Sequence, residues 1–222
     1  MLYFVPTPIG NLADLTFRAV DILRSVDYIL AEDTRFSRKL LTHYNVDTNL
    51  RSFHIFNEHR ALESIVEDLK TGIDVALISD AGTPGISDPG FLLSRACRQH
   101  DIQISCLPGA TALIPALVMS GLPAEPFHFE GFLPKKKGRK TRLEYLAALP
   151  HTFLIYESPF RLIRCLKELE ALCGSDRPAT VLREISKIYE TADHGTLNQL
   201  IEEYSQVTKV KGEIVIVVGG ND

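Results

Sequence analysis

Short runs of apolar residues alternate with stretches whose apolar positions recur every three or four residues, and this alternation holds through the first half of the chain. Residues 2–5, 28–31, 75–79 and 102–106 read as strands. Between them, residues 17–25 predict a helix with Phe17, Val20, Ile22 and Leu23 turned inward, and residues 35–44 predict a second. A third over 58–70 lines up Leu62, Ile65, Val66 and Leu69, and a fourth covers 90–100. Continuous apolar strands separated by helices predict a mostly parallel sheet covered on both faces.

The pattern changes after Ser120. The stretch GLPAEPFHFEGFLPKKKGRK crowds Gly121, Pro123, Pro126, Gly131, Pro134 and Gly138 around a strand-like segment at 127–130, which marks a domain junction near 118–126. Beyond it come strands at 153–156, 180–184, 188–191 and 213–218, with helices at 160–172 and 197–203. Strands that follow one another without a helix predict a mixed sheet. The fold class is therefore α/β, with two α/β domains, 1–120 and 121–222.

Composition changes this picture little. The chain has 222 residues with 45% hydrophobic and 23% charged, the balance of a soluble globular protein. Its net charge of -4 excludes a uniformly basic coat for nucleic acid but not a local basic patch. Cys97, Cys106, Cys165 and Cys173 show no CxxC pair or metal-ligand spacing, so they read as small apolar fillers in a reducing compartment. His54, Glu58 and His59 read as a solvated loop or helix start, and no metal is expected. Met1 runs straight into Leu2-Tyr3-Phe4-Val5 without a basic leader region. The longest uncharged apolar stretch, residues 110–119, is about half a membrane span and contains Pro115. The expectation is a cytoplasmic protein that does not enter a membrane.

Three loops carry the candidate chemistry. SDAGTPGISDPG, residues 79–90, follows an apolar strand directly. Its glycines at 82, 85 and 90 permit close backbone approach to a ligand, Pro84 and Pro89 stiffen it, and Asp80 and Asp88 can bind neighbouring amides. Asp88-Pro89 also makes a helix start, with Asp as N-cap and Pro at N1. LPGATA, residues 107–112, follows another strand, with Gly109 for the turn and Thr111 as N-cap of the next helix. PTPIGN, residues 6–11, follows the first strand. Ligands of open α/β sheets sit at the carboxyl ends of strands, where all three loops lie. GxGxxG, GxxxxGK[ST] and GxSxG are absent. Finally, Lys135, Lys136, Lys137, Arg139, Lys140 and Arg142 put six positive charges into eight residues, a candidate grip on a phosphate backbone.

At these loops the sequence resembles the tetrapyrrole methylase superfamily. Within it the sequence is similar to the small-subunit ribosomal RNA methyltransferase I family, which 2′-O-methylates a cytidine ribose. The matching blocks are VPTPIGNL (5–12), AEDTR (31–35), SDAGTPGISDPG, LPGATA, SGLP (120–123), FEGFLP (129–134), YESPFR (156–161), REISK (183–187) and KGE (211–213). Longer members carry a further small helical domain beyond the point where this sequence ends.

The resemblance implies S-adenosylmethionine folded in a cleft between the two domains, near Ile9, Asp80, Thr83, Thr111 and Ala112, with Tyr156 and Glu213 contributed by the second domain. It also implies small-subunit ribosomal RNA as partner and a homodimer, with neither membrane nor metal. A sulfonium methyl is already electrophilic, so the enzyme has to align the ribose 2′-oxygen and handle its proton. Lys187, Glu184 and Glu157 are the polar candidates for that work. A lysine acting as base needs a lowered pKa; otherwise it binds phosphate or steadies the alkoxide. Glu184 and Glu157 are open to an alternative role in ion pairs with Arg183 or Arg161. Two other functions compete: carbon methylation of a tetrapyrrole, and a cofactor-binding scaffold without turnover. The basic run and the AEDTR, FEGFLP and REISK blocks argue against the tetrapyrrole.

Overall fold

The computed structural model describes residues 1–221 and divides into two compact units, Met1–Thr111 and a second from Ala112 onward. In the first unit, strands β1 (Leu2–Phe4), β2 (Tyr28–Ala31), β3 (Asn49–Ser52), β4 (Val75–Ile78) and β5 (Ile104–Cys106) form one sheet in the order β3-β2-β4-β1-β5. Every neighbouring pair is parallel. Helices α1 (Phe17–Ser25), α2 (Thr34–His43), α3 (Glu58–Lys70) and α4 (Phe91–Gln99) are the crossovers.

Both faces of this sheet are buried, which explains why β2 and β4 are apolar throughout. Ile29, Ala31, Ala76 and Ile78 pack with Ala19, Val20 and Leu23 of α1 and Leu41 of α2. The alternate residues Tyr28, Leu30, Val75 and Leu77 pack with Ile65 and Leu69 of α3 and Leu93 and Cys97 of α4. Phe17 departs from the expected pattern: it is 94% exposed. It occupies the first helical position after the Thr16 N-cap, so it precedes the buried stripe instead of joining it. The polar strand β3 was invisible to an apolar-run search because it is an edge strand, with Asn49, Arg51 and Ser52 exposed.

The second unit holds α5 (Leu113–Ser120), β6 (Phe127–Phe132), α6 (Arg139–Ala147), β7 (Thr152–Glu157), α7 (Leu162–Cys173), β8 (Pro178–Arg183), β9 (Thr191–Thr196), α8 (Leu197–Ser205) and β10 (Ile214–Val218). Its sheet runs β6-β7-β10-β8-β9 and is mixed: only β6 and β7 are parallel. Leu143 and Leu146 of α6, Leu162, Leu166 and Leu169 of α7 and Leu197 and Leu200 of α8 pack on Phe153, Ile155, Val181 and Ile216.

The division falls before α5, nine residues earlier than the expected 120/121 boundary, because α5 packs on β8, β9 and β10. The Ser120 carbonyl accepts from Thr180 Oγ1 at 3.3 Å, tying the helix end to that sheet. Residues 139–142 open helix α6, an element the apolar pattern does not announce. The strand expected at 188–191 is corrected: β9 starts at Thr191, after a loop that contains residues 188–190. Among the described residues no helix is long and apolar enough to cross a membrane.

Candidate active site

In a parallel sheet all carboxyl ends share an edge, and here the three glycine- and proline-rich loops meet there. Thr7 and Gly82 exchange backbone hydrogen bonds of 2.9 Å in both directions. Thr7 Oγ1 donates to Ser79 O at 2.9 Å, and Thr83 Oγ1 donates to Ala110 O at 3.2 Å. Gly109 lies so close to Pro6 that a Cβ there would come within 2.8 Å of the proline Cβ. Gly82, at φ +80°, has Ile9 Cγ2 3.5 Å from where its own Cβ would stand. Ile9, Thr83 and the PGATA turn thus belong to one braced assembly. Thr111 closes the first unit, and Ala112 is the α5 N-cap in place of Thr111, with no side-chain cap bond.

The same edge gathers carboxylates. Asp33 caps α2 by accepting from Arg35 N at 2.9 Å, while its own N–H donates to Asp80 Oδ1 at 3.3 Å. Burial raises the Asp80 carboxyl above its ordinary value, against the Asp33 N–H bond. Glu32 is raised by burial and then by Asp80, with His54 opposing. Asp88 is pushed up to about 7 by burial and by repulsion from Glu32 and Asp80, with a Ser79 hydrogen bond opposing. Among the described residues no lysine or arginine is ion-paired to any of these three. Such a cluster suits a cationic ligand and gives Asp88 a carboxyl that exchanges its proton near neutrality. Sequence reading missed Glu32 and Asp88 as site residues. The available signal was a carboxylate directly after an apolar parallel strand, which Glu32 is. Asp88 does not cap α4, whose N-cap is Gly90 at φ +141°.

In the second unit Lys187 is held between two carboxylates, Glu184 Oε1 at 2.8 Å and Glu213 Oε2 at 2.9 Å. Burial works to lower the lysine pKa, but the two partners outweigh it and the net direction is up. Lys187 therefore stays charged, and the geometry denies it the role of base. Glu184 is lowered, chiefly by the Lys187 bond and then by the Glu213 N–H at 2.9 Å, which makes it a poor base as well. Its partner is Lys187 and not the anticipated Arg183. Glu184 and Ser186 adopt φ of +55° and +67°, conformations that side chains usually avoid and that cluster at functional sites. Tyr156 sets its ring edge-on to Phe129 and Phe132, with centroids 4.9 and 5.5 Å away.

Glu157 serves the interior. Its side chain is 1% exposed and accepts from Arg139 Nη2 at 3.3 Å, Arg161 Nε at 2.7 Å and Ser158 N at 2.7 Å. Arg139, itself 5% exposed, also donates to Glu168 Oε2 at 2.7 Å and Pro134 O at 3.3 Å. This overturns Arg139 as an RNA contact and Glu157 as a proton acceptor. Arg142 forms a two-pronged pair with Glu130, including Nε to Oε1 at 2.7 Å. Lys140 reaches Glu144 only at 3.7 Å. The basic run therefore contributes exposed Lys135, Lys136, Lys137 and Lys140 to the surface.

The model of the tetrapyrrole (corrin/porphyrin) methylases matches residues 1–201. The chain is 49% identical over 221 residues to the ribosomal RNA small subunit methyltransferase I of Xylella fastidiosa (strain Temecula1), which covers 99% of this chain and 81% of that protein. The chain belongs to the ribosomal RNA small subunit methyltransferase I family. The Vibrio cholerae protein of that name is 45% identical over 222 residues, 99% of this chain and 77% of its own length. Membership in the methyltransferase I family makes the chain an S-adenosylmethionine-dependent methyltransferase. Its fold is shared by the uroporphyrin-III C-methyltransferase of Thermus thermophilus complexed with S-adenosyl homocysteine. The TM-score is 0.66 at 18% identity, covering 98% of this chain and 96% of that one.

Proposed function

We propose that the chain transfers a methyl group from S-adenosylmethionine to the 2′-oxygen of a cytidine ribose in small-subunit ribosomal RNA. The observation that carries the reading is the unpaired carboxylate cluster of Glu32, Asp80 and Asp88 beside the braced glycine loops. A ligand bearing an ammonium and a sulfonium supplies the cations that this donor set lacks, so the residues fit the cofactor. Asp80 and Thr83 would take its amino-acid portion, Ile9 would lie near the adenosine or its tail, and Thr111 and Ala112 would contact it from the PGATA turn. The resemblance adds Tyr156 and Glu213 as cofactor candidates. The bound cofactor supplies an electrophilic methyl group.

The remaining work is positioning and charge. The 2′-hydroxyl proton would leave to water as the oxygen takes the methyl group, and Lys187, held protonated by Glu184 and Glu213, presents a fixed cation to that oxygen or to the adjoining phosphate. Glu184 positions that lysine. Exposed Lys135, Lys136, Lys137 and Lys140 bind the RNA backbone electrostatically. The resemblance also carries a homodimer and a cytoplasmic location into this reading, and sedimentation of the purified chain checks the dimer.

The deciding experiment is transfer of labelled methyl to small ribosomal subunits that lack the modification, followed by nucleoside mass spectrometry. The expected product is 2′-O-methylcytidine. Transfer to a tetrapyrrole in its place would overturn the RNA assignment. Cofactor binding with no transfer to either would leave a scaffold.

A further inference from the structure

Strand directions in the second unit bring the carboxyl ends of β6, β7 and β8 and the starts of β9 and β10 to one sheet edge. Three aromatic side chains stand at that edge outside the core. Phe132 ends β6 and is 57% exposed, Phe160 follows β7 and is 85% exposed, and Tyr189 follows β8 and is 74% exposed. From β6 to β8 the edge spans three strand spacings, about 14 Å.

Two of these rings are presented on stiff turns. Phe160 lies in a 3-10 turn begun by Pro159 and closed by Arg161 N donating to Ser158 O at 2.9 Å. The turn before Tyr189 is fixed by Lys187 N donating to Glu184 O at 2.9 Å, and Glu190 N bonds Lys187 O at 3.2 Å. Holding large apolar rings rigidly in water is unfavourable unless something covers them. Lys135, Lys136 and Lys137, exposed, begin three residues after Phe132, so the occupant that fits is anionic and has flat apolar faces.

We infer that this edge is a platform for single-stranded RNA, on which unpaired bases stack on Phe160 and Tyr189, with Phe132 as a third ring, while the three lysines hold the backbone. The inference rests on the proposed RNA reading and adds the state of the RNA, unpaired and splayed, and the residues that hold it.

The test uses the full chain and a fluorescently labelled single-stranded RNA carrying 2-aminopurine, titrated over a range of salt concentrations. Phe160→Ala and Tyr189→Ala are each expected to weaken binding about tenfold at every salt concentration, with less quenching of the 2-aminopurine. Phe160→Trp keeps the affinity. Replacing all three lysines with alanine is expected to lower the salt slope by about 2, whereas the ring variants leave the slope unchanged. Cofactor affinity and thermal stability, unchanged in the ring variants, separate the effect from misfolding. Ring variants that bind RNA like the parent overturn the platform alone, provided the parent methylates RNA. A changed oligomeric mass with unchanged RNA affinity also overturns it and makes the edge a protein interface. A parent that transfers no methyl to RNA defeats the underlying reading, and the platform with it.

Discussion

Arg139→Met tests the claim that the start of α6 is tied to the interior and not offered to RNA. The substitution preserves much of the side-chain volume but removes the guanidinium that bonds Glu157, Glu168 and Pro134. Glu168 keeps Arg164 at 2.8 Å and is partly exposed, so its loss is small. Glu157 keeps Arg161 and the Ser158 N–H, but one of its oxygens, Oε2, faces a buried void of charge. Breaking a buried pair from one side costs about 3–5 kcal/mol, and the surviving Arg161 partner places this case near the lower figure. For a unit of about 110 residues that unfolds by itself, 3 kcal/mol lowers the melting temperature by roughly 13 °C. Differential scanning calorimetry, with circular dichroism in parallel, reads this as a shift of the second unit's transition. The double variant Arg139→Met with Glu157→Gln should recover part of the loss, since it removes the stranded charge. An unchanged melting temperature in Arg139→Met, coupled to weaker RNA binding, would refute the reasoning and return Arg139 to the RNA surface.

Three further outcomes follow from the site. The Asp88 carboxyl titrates near 7 when folded and near 4 when unfolded, so the folded state holds its proton more tightly. Its contribution to stability is full below about pH 4 and is lost as pH rises through 7. Asp88→Asn should therefore stabilise the cofactor-free protein at pH 8, by about 2 kcal/mol once solvent screening halves the full effect, and do little at pH 4; equal shifts at both pH values contradict the cluster. Lys187→Arg, which keeps the cation, should retain more methyl transfer than Lys187→Gln, for which a loss of about 10²-fold is expected; similar rates for the two would remove the electrostatic role. Asp80→Ala should weaken S-adenosylmethionine binding in calorimetry, and unchanged affinity would take Asp80 out of the cofactor site.

Much of this was legible because burial writes itself into residue type. β2 and β4 are apolar on both sides since helices cover both faces, and their order along the chain announced a parallel sheet. The three loops were equally visible, as glycines are needed where Gly109 meets Pro6 and where Gly82 meets Ile9 and Ala110. What could not be read was the pairing of charges. KKKGRKTR is uniform in sequence, yet Arg139 points into the core, Arg142 locks onto Glu130, and only the lysines remain available. Which of them goes inward depends on where the first turn of α6 faces relative to β7 and α7. The same limit applied to Lys187, whose two carboxylate partners lie 3 and 26 residues away. Asp88 became distinctive only once Glu32, from the end of β2, and Asp80, from its own loop, were beside it.

The position of β10 sets when the second unit is able to exist. It runs between β7 and β8 and hydrogen-bonds to both, although it follows every other strand of its sheet along the chain. During synthesis the first unit has all its strands once Cys106 has emerged. The second has β6, β7, β8 and β9 but a missing centre until residues 214–218 arrive. At about 5–20 residues per second, the roughly thirty residues between the end of β8 and the start of β10 take some 1.5–6 s to make. Throughout that interval the apolar edges of β7 and β8 lack the strand that joins them. A nascent chain in this state is a natural client for holdase chaperones. A stalled ribosome or a stop codon shortly before Ile214 would release a folded first unit attached to an aggregation-prone remainder.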